Sequence, residues 1–308
     1  MTKEYTYSFI IPHKNCPDLL QRCVDSIPDR DDIQIIVVDD NSDADKKPSI
    51  NRNGVEVVLL DAEHSKGAGR ARNVGLEHAI GKWLLFADAD DYYTDCLSGL
   101  LDKYADDTTT DTVYLNASMF DEKGNVRQYD TSKLIEDFNR NIPSAEMRLR
   151  YGLWTPWSRM VKRDIVERNH ITFDELPACN DKMFCLYCSY YARSIAAEDS
   201  ILYMYYKPTQ GSQTDKKRNF LMLDGLLDVR VRTLALYNIV GYKPLPSLYE
   251  LVHHSRYTEG VPAEEVEKKY IHFLKKANIS KTRDLYRYYS SHFRVLRARI
   301  LRNLKLSH

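Results

Sequence analysis

Four short apolar runs occupy residues 7–11, 33–38, 55–60 and 83–87, and three of them empty straight into polar residues. Runs of this length suit strands rather than helices, and their near-continuous apolar character means burial on both faces. Helical patterns separate them. Leu19, Leu20, Cys23, Val24 and Ile27 recur at helical spacing after Pro17, with Asn15 or Cys16 as the cap. Ala71, Val74, Ala79 and Ile80 do so between a Lys66-Gly67-Ala68-Gly69 loop and Gly81. Parallel strands need crossover connections of this kind, so the expected class is α/β, a mostly parallel central sheet flanked by helices.

The polar segments that follow strands are Pro12-His13-Lys14-Asn15, Asp39-Asp40-Asn41-Ser42 and Asp88-Ala89-Asp90-Asp91. In open α/β sheets, ligands bind in the crevice outside the carboxyl ends of the strands. One acidic cluster after a strand is ordinarily a turn or helix cap, but three on one rim mark a candidate site. Asp88 and Asp90, one residue apart, suit a hard divalent cation whose shell phosphate oxygens complete.

Beyond residue 105 the pattern loosens. Strands are expected at 113–115 and around Met119, a turn at 121–125, an aromatic loop at 154–157 and a short helix at 162–169. A helix over 180–193 has Met183, Phe184, Tyr187, Cys188 and Tyr191 on its apolar side, and a strand at 202–206 leads to a loop at 211–214. Longer helical patterns fill 218–240, 245–256, 264–278 and 282–304, so the expected organisation is an α/β domain over 1–214 and a helical C-terminal region over 215–308.

The 44 basic and 44 acidic residues cancel, yet residues 1–130 hold 14 Lys/Arg against 25 Asp/Glu and the remainder 30 against 19. The acidic part suits divalent cations and the basic part suits phosphates or an anionic membrane surface. No apolar run reaches the ~20 residues of a spanning helix, and Met-Thr-Lys-Glu lacks the apolar core of a signal peptide. Six sparse cysteines match no disulfide framework or zinc pattern, and Cys185 and Cys188 read as core on a helix face. A reduced, cytoplasmic protein is expected. Near the end, Tyr286, Tyr289, Phe293, Leu296, Ile300 and Leu304 interleave with Arg287, Arg294, Arg297, Arg299, Arg302 and Lys305. Such a basic amphipathic helix either packs with a solvated basic face or lies on the inner face of the cell membrane. No nucleic-acid recognition module accompanies it, and no nucleic-acid partner is expected. His253-His254 reads as part of a surface helix.

Ser8-Phe9-Ile10-Ile11-Pro12, Val37-Val38-Asp39-Asp40-Asn41-Ser42, Lys66-Gly67 through Ala71-Arg72-Asn73-Val74-Gly75-Leu76, and Phe86-Ala87-Asp88-Ala89-Asp90-Asp91 occur in this order. The ordered set resembles the family 2 glycosyltransferases of the GT-A fold, strongly over residues 7–93. The resemblance continues more weakly through Phe173-Asp174-Glu175, Asn180-Asp181-Lys182-Met183-Phe184 and Leu202-Tyr203 to Gly211-Ser212.

That resemblance implies a nucleotide-sugar-binding fold and an inverting transfer from a nucleoside diphosphate sugar, a UDP-sugar foremost, to a saccharide or lipid-linked saccharide hydroxyl in surface polysaccharide or glycolipid assembly. It implies that Pro12, His13 and Asn15 line the base or ribose and that Asp40, with Asp39, accepts hydrogen bonds from the base. Lys66, Arg70 and Arg72 would lie near the diphosphate, with Gly67 and Gly69 allowing close approach. Asp88 would meet ribose or metal, and Asp90 would be the principal ligand of Mn²⁺ or Mg²⁺. Asp181 is the implied catalytic base, with Glu175 or Asp174 behind it; Asn180 departs from the Glu usual before it. Trp157 is kept as an acceptor contact, and Ser212 and Thr214 as parts of a loop over the diphosphate. A nucleotidyltransferase and a non-catalytic nucleotide-sugar-binding partner stay open. A nicotinamide site does not, because Arg72 stands where the third glycine of that fingerprint belongs and the loop follows the third strand.

Overall fold

Six elements follow one another from the amino terminus: β1 (Tyr7–His13), α1 (Pro17–Asp25), β2 (Ile33–Asp39), β3 (Val55–Leu59), α2 (Ala68–His78) and β4 (Trp83–Phe86). The computed structural model describes residues 4–208, 220–243 and 245–305, and falls into two units, Met1–Asp215 and Lys216–His308. Ser212 and Thr214 lie outside the described residues. The first unit continues with β5 (Tyr92–Tyr93), α3 (Cys96–Tyr104), β6 (Thr112–Phe120), β7 (Val126–Gln128), α4 (Thr131–Asn139) and α5 (Ala145–Gly152). It ends with β8 (Arg159–Lys162), α6 (Arg163–Arg168), α7 (Lys182–Tyr191) and β9 (Ile195–Tyr206).

The strands form one sheet in the order β3-β2-β1-β4-β8-β6-β9-β5, with β7 paired to β6. β1 to β4 are mutually parallel, β8 runs antiparallel between β4 and β6, β9 is parallel to β6, and β5 is antiparallel to β9. Alternation along each strand splits the core in two. Phe9, Ile11, Ile35, Val37 and Leu85 face one layer with Leu20 and Val24 of α1. Ile10, Ile36, Val38, Leu84 and Phe86 face the other with Val74 of α2 and Phe184 of α7. A one-residue slip would exchange the two faces, so this register is firmly specified. Pairing of His13 with Asp39 and of Ile10 with Phe86 brings the polar segments after β1, β2 and β4 to one rim.

Several expectations are corrected. β3 is an edge strand with Val57 and Leu59 exposed, because only β2 pairs with it. The two strands expected at 113–115 and around Met119 are one, β6. The helix expected at 162–169 starts one residue later, after β8. β9 reaches back to Ile195, where side-chain polarity masked the period.

The second unit comprises α8 (Leu223–Val240), α9 (Leu248–Val252), α10 (Ser255–Thr258), α11 (Ala263–Lys276) and α12 (Lys281–Lys305). Its organising polar group is Asp284. This buried carboxylate accepts from the Leu248 and Tyr249 N–H groups (3.0 and 2.8 Å), Ser247 Oγ (3.1 Å) and the Tyr270 hydroxyl (2.9 Å). One helix thus supplies another's N-terminal cap. Tyr286, Tyr289 and Phe293 are exposed on α12. No helix among the described residues is long and apolar enough to cross a membrane.

Candidate active site

The first two polar segments lock onto each other. His13 Nδ1 lies 2.7 Å from Asp39 Oδ1, and both side chains are buried. His13 Nε2 accepts from the Cys16 N–H, so Nδ1 carries the proton given to Asp39. Ser42 donates its hydroxyl to Asp39 Oδ1 and its N–H to Oδ2. Burial works to raise the Asp39 pKa, but the bonds from Ser42 and His13 outweigh it and hold the carboxyl below its ordinary range. The polar atoms of His13 and Asp39 thereby join the loops after β1 and β2. Asn15, exposed and left-handed at φ 59°, exchanges hydrogen bonds with Asp43, and Pro12 is half-buried.

Asp40 is turned toward α2. Its Oδ1 accepts from Ser65 Oγ (2.8 Å) and the Gly67 N–H (3.1 Å), and Lys14 Nζ stands 3.3 Å from Oδ2. Gly67 adopts φ +87°, a conformation strained for any residue with a side chain. Lys66 and Arg70 both approach Glu175, at 3.3 and 3.6 Å.

Arg72 is the centre of the arrangement. Its buried guanidinium donates from Nη2 to Asp88 Oδ1 (2.5 Å) and from Nη1 to Asn180 Oδ1 (3.2 Å), and it lies over the Phe173 ring. The turn after β4 is thereby tied to the N-terminus of α7, where Asp181 is the cap residue. Burial pushes the Asp181 pKa up, opposed by Arg72, and the Asp88 charge adds to the rise. α2 also holds the chain before α7 through Asn73, which donates to the Phe173 carbonyl (3.0 Å) and accepts from its N–H (2.8 Å). α7 itself is pinned by Arg159, fully buried, to the Cys185 and Leu153 carbonyls, and by Arg150 to the Ser189 and Ala192 carbonyls.

Asp90 has no salt-bridge partner among the described residues, and Arg22 binds only its backbone carbonyl (2.6 Å). Burial and the neighbouring Asp88 charge push its pKa up to about 6. Asp91 is fully buried, and burial with the charges of Asp88 and Asp90 pushes it well up. Asp88 and Asp90, with Arg72 on one Asp88 oxygen as their salt-bridge partner among the described residues, offer oxygen donors that fit a hard divalent cation. No group of three or more His, Cys, Asp and Glu among the described residues forms a protein-only cage. Such an ion would take further ligands from water and diphosphate oxygens.

Sequence reasoning missed the supports. Asn73 stood inside a recognised motif without a role, while Arg159, Arg150 and Tyr203 lie at positions whose local pattern is that of ordinary strand or helix. Trp157 is corrected outright: it is 3% exposed and stacks on Tyr203 (4.8 Å, 8°) and Tyr205 (5.5 Å, 14°), so its faces are already covered. Cys185 and Cys188 are buried free thiols.

The glycosyl transferase family 2 model matches residues 8–169, more than half the chain. The chain belongs to that family. It is 24% identical over 209 residues to EpsH of Bacillus subtilis (64% of this chain, 60% of EpsH). It is 35% identical over 89 residues to the UDP-Glc:alpha-D-GlcNAc-diphosphoundecaprenol beta-1,3-glucosyltransferase WfaP of Escherichia coli (28% of this chain, 36% of WfaP). Each match spans less than two thirds of the relative. The fold is shared with the crystal structure of S. aureus TarS 1-349 in complex with UDP-GlcNAc, at TM-score 0.62 and 19% identity, over 88% of this chain and 80% of that one. The GT-A architecture with a helical C-terminal region is thereby established.

Proposed function

We propose that this protein transfers one sugar, with inversion, from a nucleoside diphosphate donor to a hydroxyl of a saccharide or lipid-linked saccharide. The donor is a UDP-sugar and the setting is surface polysaccharide or glycolipid assembly. The observation that carries the reading is Arg72, whose guanidinium binds Asp88 on the donor side and Asn180, beside Asp181, on the acceptor side. The names of WfaP and of the TarS complex, both with uridine diphosphate sugars, support the donor class.

Asp181 takes the acceptor hydroxyl's proton as that oxygen attacks the anomeric carbon, while the bond from that carbon to the diphosphate oxygen breaks. General-base assistance of this kind is worth ~10²–10⁴-fold. Burial raises the pKa of the base, and Arg72 opposes that rise. Lys66 and Arg70 are placed to exchange Glu175 for diphosphate oxygens. Mn²⁺ or Mg²⁺ on Asp88 and Asp90 would supply Lewis-acid stabilisation of the departing diphosphate. Asp40, with Pro12 and Asn15 beside it, lines the end of the site toward the base.

A nucleotide-sugar panel with Mn²⁺, Mg²⁺ or EDTA tests this by diphosphate release. Turnover that survives EDTA removes the metal; release of inorganic pyrophosphate identifies a nucleotidyltransferase. The same reading places the protein at the inner membrane surface through α12, which carries eight Lys/Arg against one Asp beside exposed Tyr286, Tyr289 and Phe293. Cosedimentation with vesicles rich in phosphatidylglycerol is expected, and its absence refutes that placement.

A further inference from the structure

We infer that Tyr203 and Asp91 are positioning residues that hold the Asp88-Ala89-Asp90 turn in the shape that receives the donor nucleotide. This rests on the donor reading above. The Tyr203 hydroxyl accepts from the Asp88 N–H (2.9 Å) and donates to Asp91 Oδ2 (2.7 Å). Asp91 Oδ1 accepts from the Tyr206 N–H (2.6 Å), and the Asp91 N–H closes the turn on the Asp88 carbonyl (3.0 Å). The turn after β4 is therefore fastened at both ends to β9, a strand more than a hundred residues later in the chain.

Packing fixes where that hydroxyl sits. The Tyr203 ring lies flat on Trp157 and meets Tyr93 edge-on at 5.1 Å, and all three rings are buried. A phenylalanine would fill the same slot. Burying a hydroxyl and a carboxylate in such a cluster is unfavourable in itself, and apolar groups of the same shape serve a core at least as well. What the polar pair adds is direction. It gives the Asp88 N–H one acceptor at one place, so the peptide before Asp88 cannot rotate and the carboxylate leaves the backbone on a fixed bearing toward Arg72.

The test is Tyr203→Phe, which keeps the ring and removes the hydroxyl. Titration calorimetry with UDP, GDP and dTDP, with and without Mn²⁺, identifies the nucleotide that the wild-type protein binds. For that nucleotide the Kd of Tyr203→Phe should rise about tenfold, and amide exchange at residues 88–91 should quicken. Tyr7→Phe is the control: it loses a buried hydroxyl bond to the Leu101 carbonyl at the opposite end of β1, so it should melt lower with unchanged Kd. Where Tyr203→Phe does not fold, Asp91→Asn carries the same measurement with its shape preserved. Wild-type nucleotide affinity in the folded variant overturns the inference, whatever its melting temperature. Equal wild-type affinity with and without Mn²⁺ removes only the metal and leaves the Tyr203 comparison standing. A wild-type protein that binds none of the three nucleotides refutes the donor reading and this inference with it.

Discussion

Gly69→Ala should separate activity from stability. Gly69 sits in the first turn of α2 with ordinary helical geometry, so alanine there gains up to ~1 kcal/mol of helix propensity. A Cβ built on it would lie 2.1 Å from the Asp174 carbonyl oxygen and 3.1 Å from Asn180 Cβ. Ordinary contact begins near 3.4 Å, so the 174–180 segment must withdraw by more than 1 Å. Asn73 grips Phe173 with two hydrogen bonds one turn further along α2, so the segment can only tilt, carrying Asn180 and Asp181 off Arg72. Overpacking of this kind costs ~1–3 kcal/mol, which leaves a net loss of about 2 kcal/mol at the upper end where the full helix gain is realised. A misplacement of 1 Å at reacting groups costs ~10²-fold in rate. The expected result is a kcat about a hundredfold lower in a protein that melts only a few degrees earlier. Gly67→Ala is the contrast: φ is +87° with ψ −177° and nothing lies within 4 Å, so it strains the backbone by ~1–3 kcal/mol without pushing the base. Diphosphate release under saturating donor, paired with thermal unfolding, measures both. Wild-type kcat in Gly69→Ala would refute the mechanical coupling of α2 to the Asp181 segment.

Three other outcomes are expected. The Asp39 carboxyl is held below its unfolded pKa, so its contribution to stability is present above that value and lost as pH falls through the folded one; Asp39→Asn should flatten the acid limb of a melting-temperature profile. Asp181 is raised by burial, so turnover should fall with decreasing pH above the usual carboxylate range, and Asp181→Asn should abolish turnover while retaining UDP binding by calorimetry. Asp284→Ala strips four hydrogen bonds from the start of α9 and from Tyr270, and urea unfolding should show the second unit losing ~2–3 kcal/mol or more.

What could be read in the sequence was what local chemistry dictates. β1, β2, β4 and α2 announce themselves because strands buried on both faces are apolar throughout and helices repeat at 3.6. The shared rim was legible because the polar segments follow those strands. β8 and β5 were not legible: four residues and two residues carry no period. Nor does a sequence tell a histidine that meets a ligand from one that meets its own fold. His13 and Asp39 have the residue types of a binding site, and only the pairing of β1 with β2 shows that they bond to each other. Arg159 in a strand pattern reads as surface, yet it is buried because three backbone and side-chain acceptors of α7 and its neighbouring loop converge on it.

The rim is electrostatically unfavourable as it stands. Asp88, Asp90 and Asp91 each raise or are raised by one another, and Arg72 and Arg22 answer only one carboxylate and one carbonyl among them. A chain selected for stability alone would replace Asp90, which makes no ion pair among the described residues, and would lose nothing by doing so. Asp90→Asn should therefore leave melting temperature unchanged or raise it in EDTA, since the substitution removes a repelling charge and keeps the shape. With Mn²⁺ and UDP present the order should reverse, because a ligand that binds only the native state stabilises it by mass action and the variant has lost a principal contact. Differential scanning fluorimetry of both proteins under both conditions reads this directly. Equal shifts on adding Mn²⁺ and UDP would mean that Asp90 answers to the fold and not to the nucleotide.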